Sequence, residues 1–152
     1  AELCGTWHSR MPIEVDVVSE EKYNTWVDEQ KNLMLAAAAE ASIDRDWTKD
    51  ELMAKGMAEY NTKCASCHQI TGQGLPPAFP ALKGSAIATG DIQAHLNIVL
   101  NGKPGTAMVP WNTLNDLELA AIITYERNAW GNDTGDLVQP RDIKAARSLA
   151  VK

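Results

Sequence analysis

The chain has 152 residues, 45% of them apolar and 22% charged, with a net charge of −6. That length suits one domain with a real core. No apolar run reaches the ~18 residues needed to cross a bilayer, so no membrane contact is expected from this stretch, and the charge balance gives no support for nucleic-acid binding. The acidity is local. Residues 1–47 hold ten acidic and four basic side chains, whereas residues 48–152 hold ten of each. Three cysteines, two of them in one short motif, do not make a disulfide framework.

Taken in chain order, the opening Ala1–Glu2–Leu3–Cys4 lacks Met and shows no signal peptide, so it reads as processed or cut from something longer. Residues 12–18 alternate apolar and polar side chains, with β-branched residues among them, and predict a strand. A lone strand has no sheet to join, which again suggests a missing front part. Residues 20–43 predict a helix, charged at first and then a run of alanines. Alanine favours helix but packs little, so this helix reads as a connector.

A new unit opens at Thr48, which with Glu51 forms a capping-box pattern before a helix of about 49–63. Residues 70–90 are rich in Gly and Pro and predict loop. Asp91 caps a helix ending near Asn101 and stopped by Gly102, with Ile92, Leu96, Val99 and Leu100 on one face. After a loop over 102–114, Asn115 and Glu118 form a second capping box. It opens a helix to about Ala129, with Gly131 as its left-handed cap. The tail from Asn132 is polar, with a short helix expected from Pro140 to Leu149. The expected division is 1–19, 20–47, 48–131 and 132–152.

The chemistry sits in Cys64–Ala65–Ser66–Cys67–His68. Two thiols about one helical turn apart reach the two vinyl groups on one edge of a porphyrin, and the adjacent imidazole then lies under the iron; the spacing is that of c-type haem attachment. Zinc would need a second Cys/His pair, with only Cys4, His8 and His95 left over. A thioredoxin-like dithiol would need a βαβ setting, and this region reads as helical. The sixth iron ligand separates electron transfer from chemistry on a bound small molecule. Met108, in a Gly- and Pro-rich loop forty residues after His68, is the expected thioether. His95 is the rival, although a hydrogen-bonded or half-exposed histidine beside an apolar helix face explains it as well. Met53 and Met57 read as core packing, and Met11 and Met34 lie in the front segment.

Residues 48–131 resemble a class I cytochrome c domain, an all-α fold of three main helices around a covalent haem. Pro80–Ala81–Leu82–Lys83–Gly84 matches that family's pocket segment, and the resemblance implies that the Pro80 carbonyl accepts a hydrogen bond from His68. Gly56 and Tyr60 match the family's pair at the crossing of first and last helices, with Tyr125 facing them. Met108–Val109–Pro110–Trp111 departs slightly, since many members have Pro directly after Met. Lys63, Lys83 and Lys103 fall in segments around the haem edge, as docking charges or plain solvated lysines. Trp111 reads as core packing or as an electron entry point.

Glu2–Leu3–Cys4–Gly5–Thr6–Trp7–His8–Ser9–Arg10–Met11 is similar to the end of the binuclear copper (CuA) motif in subunit II of haem–copper cytochrome c oxidases. The resemblance implies Cys4, His8 and Met11 as copper ligands and Glu2 through its backbone carbonyl, a donor set suited to a soft mixed-valence pair. The motif's first Cys would precede Ala1, so the copper pair would form only in a full-length protein. The expected front is then a cupredoxin remnant strand followed by a helical connector. The order of the two resemblances is that of caa-type oxidases, whose subunit II carries a fused cytochrome c and is anchored by upstream membrane helices. Electrons would enter at the haem from a cytochrome c or cytochrome bc complex, pass to copper, and reach oxidase subunit I, a proton-pumping terminal oxidase. The domain would sit on the periplasmic face of a bacterial inner membrane. A free periplasmic cytochrome c shuttle is the alternative, since residues 48–131 would look the same in both.

Overall fold

The computed structural model describes residues 15–150. The described residues are helical: α1 Glu20–Ala41, α2 Lys49–Lys63, α3 Ala65–His68, α4 Ala86–Thr89, α5 Ile92–Asn101, α6 Asp116–Asn128 and α7 Pro140–Ala150. No strand occurs among them, only one antiparallel bridge between Leu75 and Phe79. The expected strand over 12–18 is therefore corrected for its described part. Residues 15–18 have no regular structure, and Val15, Val17 and Val18 are exposed. A strand needs a partner ladder for its backbone groups, and none is present among the described residues. Residues 12–14, like Glu2, Cys4, His8 and Met11, lie outside the described residues.

The chain divides into two compact units between Ala37 and Ala38. The described part of the first is the unstructured 15–19 and most of α1, a helix that buries none of its residues. The second unit is built on the crossing of α2 and α6. Both helices begin with the capping boxes anticipated for them. Thr48 and Glu51 answer each other's backbone N–H groups, as do Asn115 and Glu118. Each box satisfies two donors that a helix start leaves orphaned.

Gly56 fixes how close the two helices come. A Cβ there would fall 2.1 Å from the Ala121 carbonyl oxygen and 2.7 Å from Tyr125 Cβ. Only glycine allows this approach, which offsets its poor helix propensity of about 1 kcal/mol. Leu52, Leu96, Val99, Leu117, Leu119, Ala121, Ile123, Val138 and Ile143 fill the core around the crossing. Asp91 caps α5 by accepting from Ala94 N, and Gly102 ends it at a φ of 69°. α6 ends differently from the expected glycine cap: Ala129 is an extended cap, and Trp130 and Gly131 after it both take positive φ.

Residues 132–150, read as a polar tail, pack into the second unit. Val138 and Ile143 are fully buried. The Gln139 amide pairs with the backbone of Trp47, accepting from its N–H and donating to its carbonyl, each at 2.9 Å. Arg147 donates to Asp116 and to the carbonyls of Asn112 and Leu114. Trp47 and Val138 are thereby held at the edge of the core, far apart in sequence and adjacent in space.

Candidate functional site

The attachment motif begins where α2 stops. Cys64 is both the last cap of α2 and the first of α3, so one continuous turn carries Cys64, Cys67 and His68. The Cys67 and His68 N–H groups both bond the Cys64 carbonyl, at 3.2 and 3.0 Å. Both cysteines are free and half-buried. Burial, and then the Glu126 carboxylate, push the Cys64 thiol well above its ordinary range. Two free thiols one turn apart are what attachment to a porphyrin edge requires.

His68 is oriented from the opposite side of the loop. Its Nδ1 lies 2.9 Å from the Pro80 carbonyl oxygen. That oxygen only accepts, so Nδ1 carries a proton, and in the neutral ring the lone pair is then on Nε2, the tautomer a metal-ligating histidine needs. The segment between them is folded tightly. Leu82 and Lys83 both donate to the Gly72 carbonyl, and Gly74 donates to the His68 carbonyl. A Cβ on Gly74 would sit 2.4 Å from Phe79 O and 2.6 Å from Pro80 O.

Met108 is half-buried in the loop that follows α5. Its N–H donates to Thr106 Oγ1 at 3.2 Å, and its carbonyl accepts from Lys103 N at 2.9 Å. Trp111 N donates to Val99 O, and its ring packs on the core. The loop is thus shaped by its own backbone bonds and leaves the thioether unengaged by them. Met53 is half-buried, but Met57 is exposed and is not a core residue.

His95, the rival ligand, takes the hydrogen-bonded role that was its other reading. It is buried on α5 with Nε2 2.9 Å from Glu126 Oε2. Among the described residues no group of three or more His, Cys, Asp or Glu side chains could hold a metal ion, so a zinc reading of Cys64 and Cys67 has no further ligands there. The donor set that is present fits a haem: two thiols on one turn, one imidazole with a free Nε2, and one thioether in a backbone-shaped loop.

Two residues of the site, Asn132 and Trp130, were not found from the sequence. Asn132 accepts from Gly84 N at 2.6 Å and donates to the carbonyls of Leu82 and Glu126, tying the pocket segment to the end of α6. Trp130 donates to Ile70 O at 2.9 Å, and its ring lies 4.9 Å from Tyr60 and 5.2 Å from Tyr125. Tyr60 in turn donates to Gln69 O, at 2.7 Å. Trp and Asn shortly after a helix were the available signals, but their partners lie about 50 to 60 residues back. Lys63 is also not a free docking charge, since it pairs with Glu59 and approaches Glu118.

A helical unit that carries two thiols and a held imidazole on one turn has the attachment side of a covalent-haem protein. Comparison with known proteins agrees. Residues 51–125 match the family model described as "Cytochrome C oxidase, cbb3-type, subunit III". Cytochrome c-552 of Thermus thermophilus is 32% identical over 89 residues, 49% of this chain and 68% of the relative. The cytochrome c subunit of a quinone alcohol dehydrogenase from Gluconobacter oxydans is 31% identical over 104 residues, 61% of this chain, and the chain spans about a fifth (22%) of that relative's length. Cytochrome c oxidase subunit 2 of Vanderwaltozyma polyspora is 60% identical over 30 residues, 20% of this chain and 12% of the relative. The chain belongs to the cytochrome c family. Membership implies covalent haem c and haem-based electron transfer.

Proposed function

We propose that this chain is a single-haem electron carrier with His68 and Met108 as iron ligands and thioether links at Cys64 and Cys67. Bound there, haem supplies an iron that gains and loses one electron. Pro80 holds the His68 ring in the ligating tautomer and keeps the nitrogen basic. Met108 supplies a soft thioether that closes the sixth position and favours the reduced state. Trp130 and Asn132 fasten the two ends of the loop that follows His68, at Ile70 and at Leu82 and Gly84. The observation that carries this reading is the His68 Nδ1 to Pro80 O contact at 2.9 Å, which leaves Nε2 as the donor. The test is the visible spectrum of the purified chain matured in a host that attaches haem. A haem that survives denaturation and strong acid supports the reading, and a colourless chain refutes it.

We further propose that the carrier is the C-terminal part of subunit II of a haem–copper cytochrome c oxidase. It would pass electrons from a cytochrome c or cytochrome bc donor toward subunit I, on the periplasmic face of the inner membrane. The Cys4, His8, Met11 and Glu2 pattern supports this, as does an exposed alanine-rich helix ahead of the haem unit. The short, 60% identical match to a protein named as oxidase subunit 2 is in keeping with it. A free cytochrome c shuttle is the second reading, favoured by the relatedness to cytochrome c-552. A third partner class, a dehydrogenase, is suggested by the relative named as an alcohol dehydrogenase subunit. The coding sequence ahead of Ala1 discriminates. The oxidase reading requires a Cys codon directly before Ala1 and apolar helices upstream; a start signal or a secretion leader at that place would contradict it.

A further inference from the structure

Pro80 orients His68, and the loop that carries Pro80 is held by hydrogen bonds more than by burial. Leu75, Pro76, Pro77 and Ala78 at its tip are exposed. Gly72 N donates to Gln69 O, Gly74 N to His68 O, and Leu82 N and Lys83 N to Gly72 O, each at 2.8 or 2.9 Å. Leu75 and Phe79 close the tip by exchanging backbone bonds at 2.8 and 3.0 Å. Pro80 has no N–H of its own to donate, so its neighbours decide where its carbonyl points.

Both ends of this bonded loop are fastened by the turn that follows α6. At one end Trp130 Nε1 donates to Ile70 O at 2.9 Å, and its ring covers Gly72 so closely that a Cβ there would lie 2.5 Å from it. At the other end Asn132 accepts from Gly84 N at 2.6 Å and donates to Leu82 O at 3.2 Å and to Glu126 O at 2.6 Å. Trp130 and Asp133 take φ of 57° and 42°, a region that non-glycine residues avoid. Such backbone persists where surrounding contacts over-determine it. The Trp130 ring is backed by Tyr60 and Tyr125, at 4.9 and 5.2 Å. Tyr60, fully buried, donates to Gln69 O at 2.7 Å, and Gln69, next to His68, itself takes a φ of 64°. Measured contacts thus run from the helix crossing, through both loop ends, to the Pro80 carbonyl 2.9 Å from His68 Nδ1.

We propose that Trp130 and Asn132 are positioning residues for the iron ligand: they set the length and direction of the His68–Pro80 hydrogen bond, and through it the reduction potential of the haem. This rests on the haem reading above. A short, straight bond from Nδ1–H leaves more electron density on Nε2, and a more basic nitrogen favours oxidised iron. A bond that lengthens as the loop drifts favours reduced iron. Both residues act through the backbone of the loop, at Ile70 and at Leu82 and Gly84. The rest of the C-terminal segment fastens elsewhere, Gln139 on Trp47 and Arg147 on Asp116, so it is the turn at 130–132 that reaches this loop.

The test uses the haem-loaded protein. Trp130→Phe keeps a ring and loses the bond to Ile70, and Asn132→Ala loses the ties to Leu82 and Gly84. Each should shift the midpoint potential upward from wild type. In reduced protein labelled with 15N-histidine, the His68 Nδ1–H signal should move toward the position of a weaker hydrogen bond and exchange with solvent faster. Gln139→Ala is the control for stability, because it loosens the same unit at Trp47, away from the loop. Its potential and its Nδ1–H signal should match wild type. Variants that unfold more readily while their potential stays or falls and their Nδ1–H signal is unmoved overturn the proposal, as does an equal shift in Gln139→Ala. Should Asn132→Ala fail to take up haem, Trp130→Phe alone decides by the same two readouts. A wild-type chain without covalent haem overturns the haem reading as well, whereas a haem-loaded chain whose variants keep its potential overturns only this inference.

Discussion

α1 and α6 are both long helices held by different forces. α1 has 22 residues and buries none of them. Its order comes from local terms: the propensity of Ala36–Ala39, acidic residues Glu20 and Glu21 in the first turn, and a Lys31–Asp28 contact. α6 has 13 residues and buries ten, from Leu117 to Asn128. Four of the ten are polar or charged, and each has a partner: Thr124 with Val138, Glu126 with His95, Arg127 with Asp136, and Asn128 with the Asp136 carbonyl. α6 is held by packing over most of its surface, whereas α1 stands on propensity.

Substitutions around the two helices separate these contributions. The largest effect is expected from replacing both Cys64 and Cys67 by Ser, which should abolish covalent haem, as read by haem staining after denaturation. Gly56→Ala comes next. Its Cβ would overlap the Ala121 carbonyl at 2.1 Å, and overpacking of this kind costs about 3 kcal/mol, measurable by urea unfolding. A variant as stable as wild type would show that α2 and α6 do not cross this closely. Gln139→Ala leaves a buried N–H and carbonyl of Trp47 unpaired and should cost about 2 kcal/mol in the same assay.

Two smaller effects sharpen the contrast. Arg45, then Thr48, hold the Glu51 carboxyl down from 4.5 to about 2. Because the folded value is depressed, this stabilisation is present above pH 4.5 and is lost as pH falls toward 2. Unfolding curves of wild type and Glu51→Gln should therefore converge over that interval. Ala36→Gly should weaken helix in α1 by about 1 kcal/mol locally while leaving the unfolding midpoint of the haem unit unchanged. A drop in that midpoint would mean that α1 contributes to the stability of the packed unit.

The elements set by local chemistry were readable before the fold was known. The two capping boxes, Asp91 and Gly102 each act within a few residues, so α2, α5 and α6 begin or end where their sequence says. Pro80 and Gly56 came from resemblance to a family pattern, and the structure shows what each touches. Gln139, Trp130 and Asn132 gave no comparable signal, because each acts on a residue about 50 to 90 positions away. His95 and Glu126 were likewise unpaired until α5 met α6. The four-residue helices α3 and α4 are too short to leave a periodic pattern, and α4 lay inside what read as loop. The alternation over 12–18 suggested a strand, but alternation alone supplies no partner for the backbone.

The proposed electron carrier depends most on iron held between His68 and Met108. Absorption of the oxidised, haem-loaded chain in the near infrared, where Met–iron bonding gives a weak band, tests it directly in wild type and in Met108→Ala. The band should be present in wild type and absent in the variant, which should then bind carbon monoxide readily when reduced. A wild-type chain that lacks the band, or a variant that keeps it, would contradict the assignment.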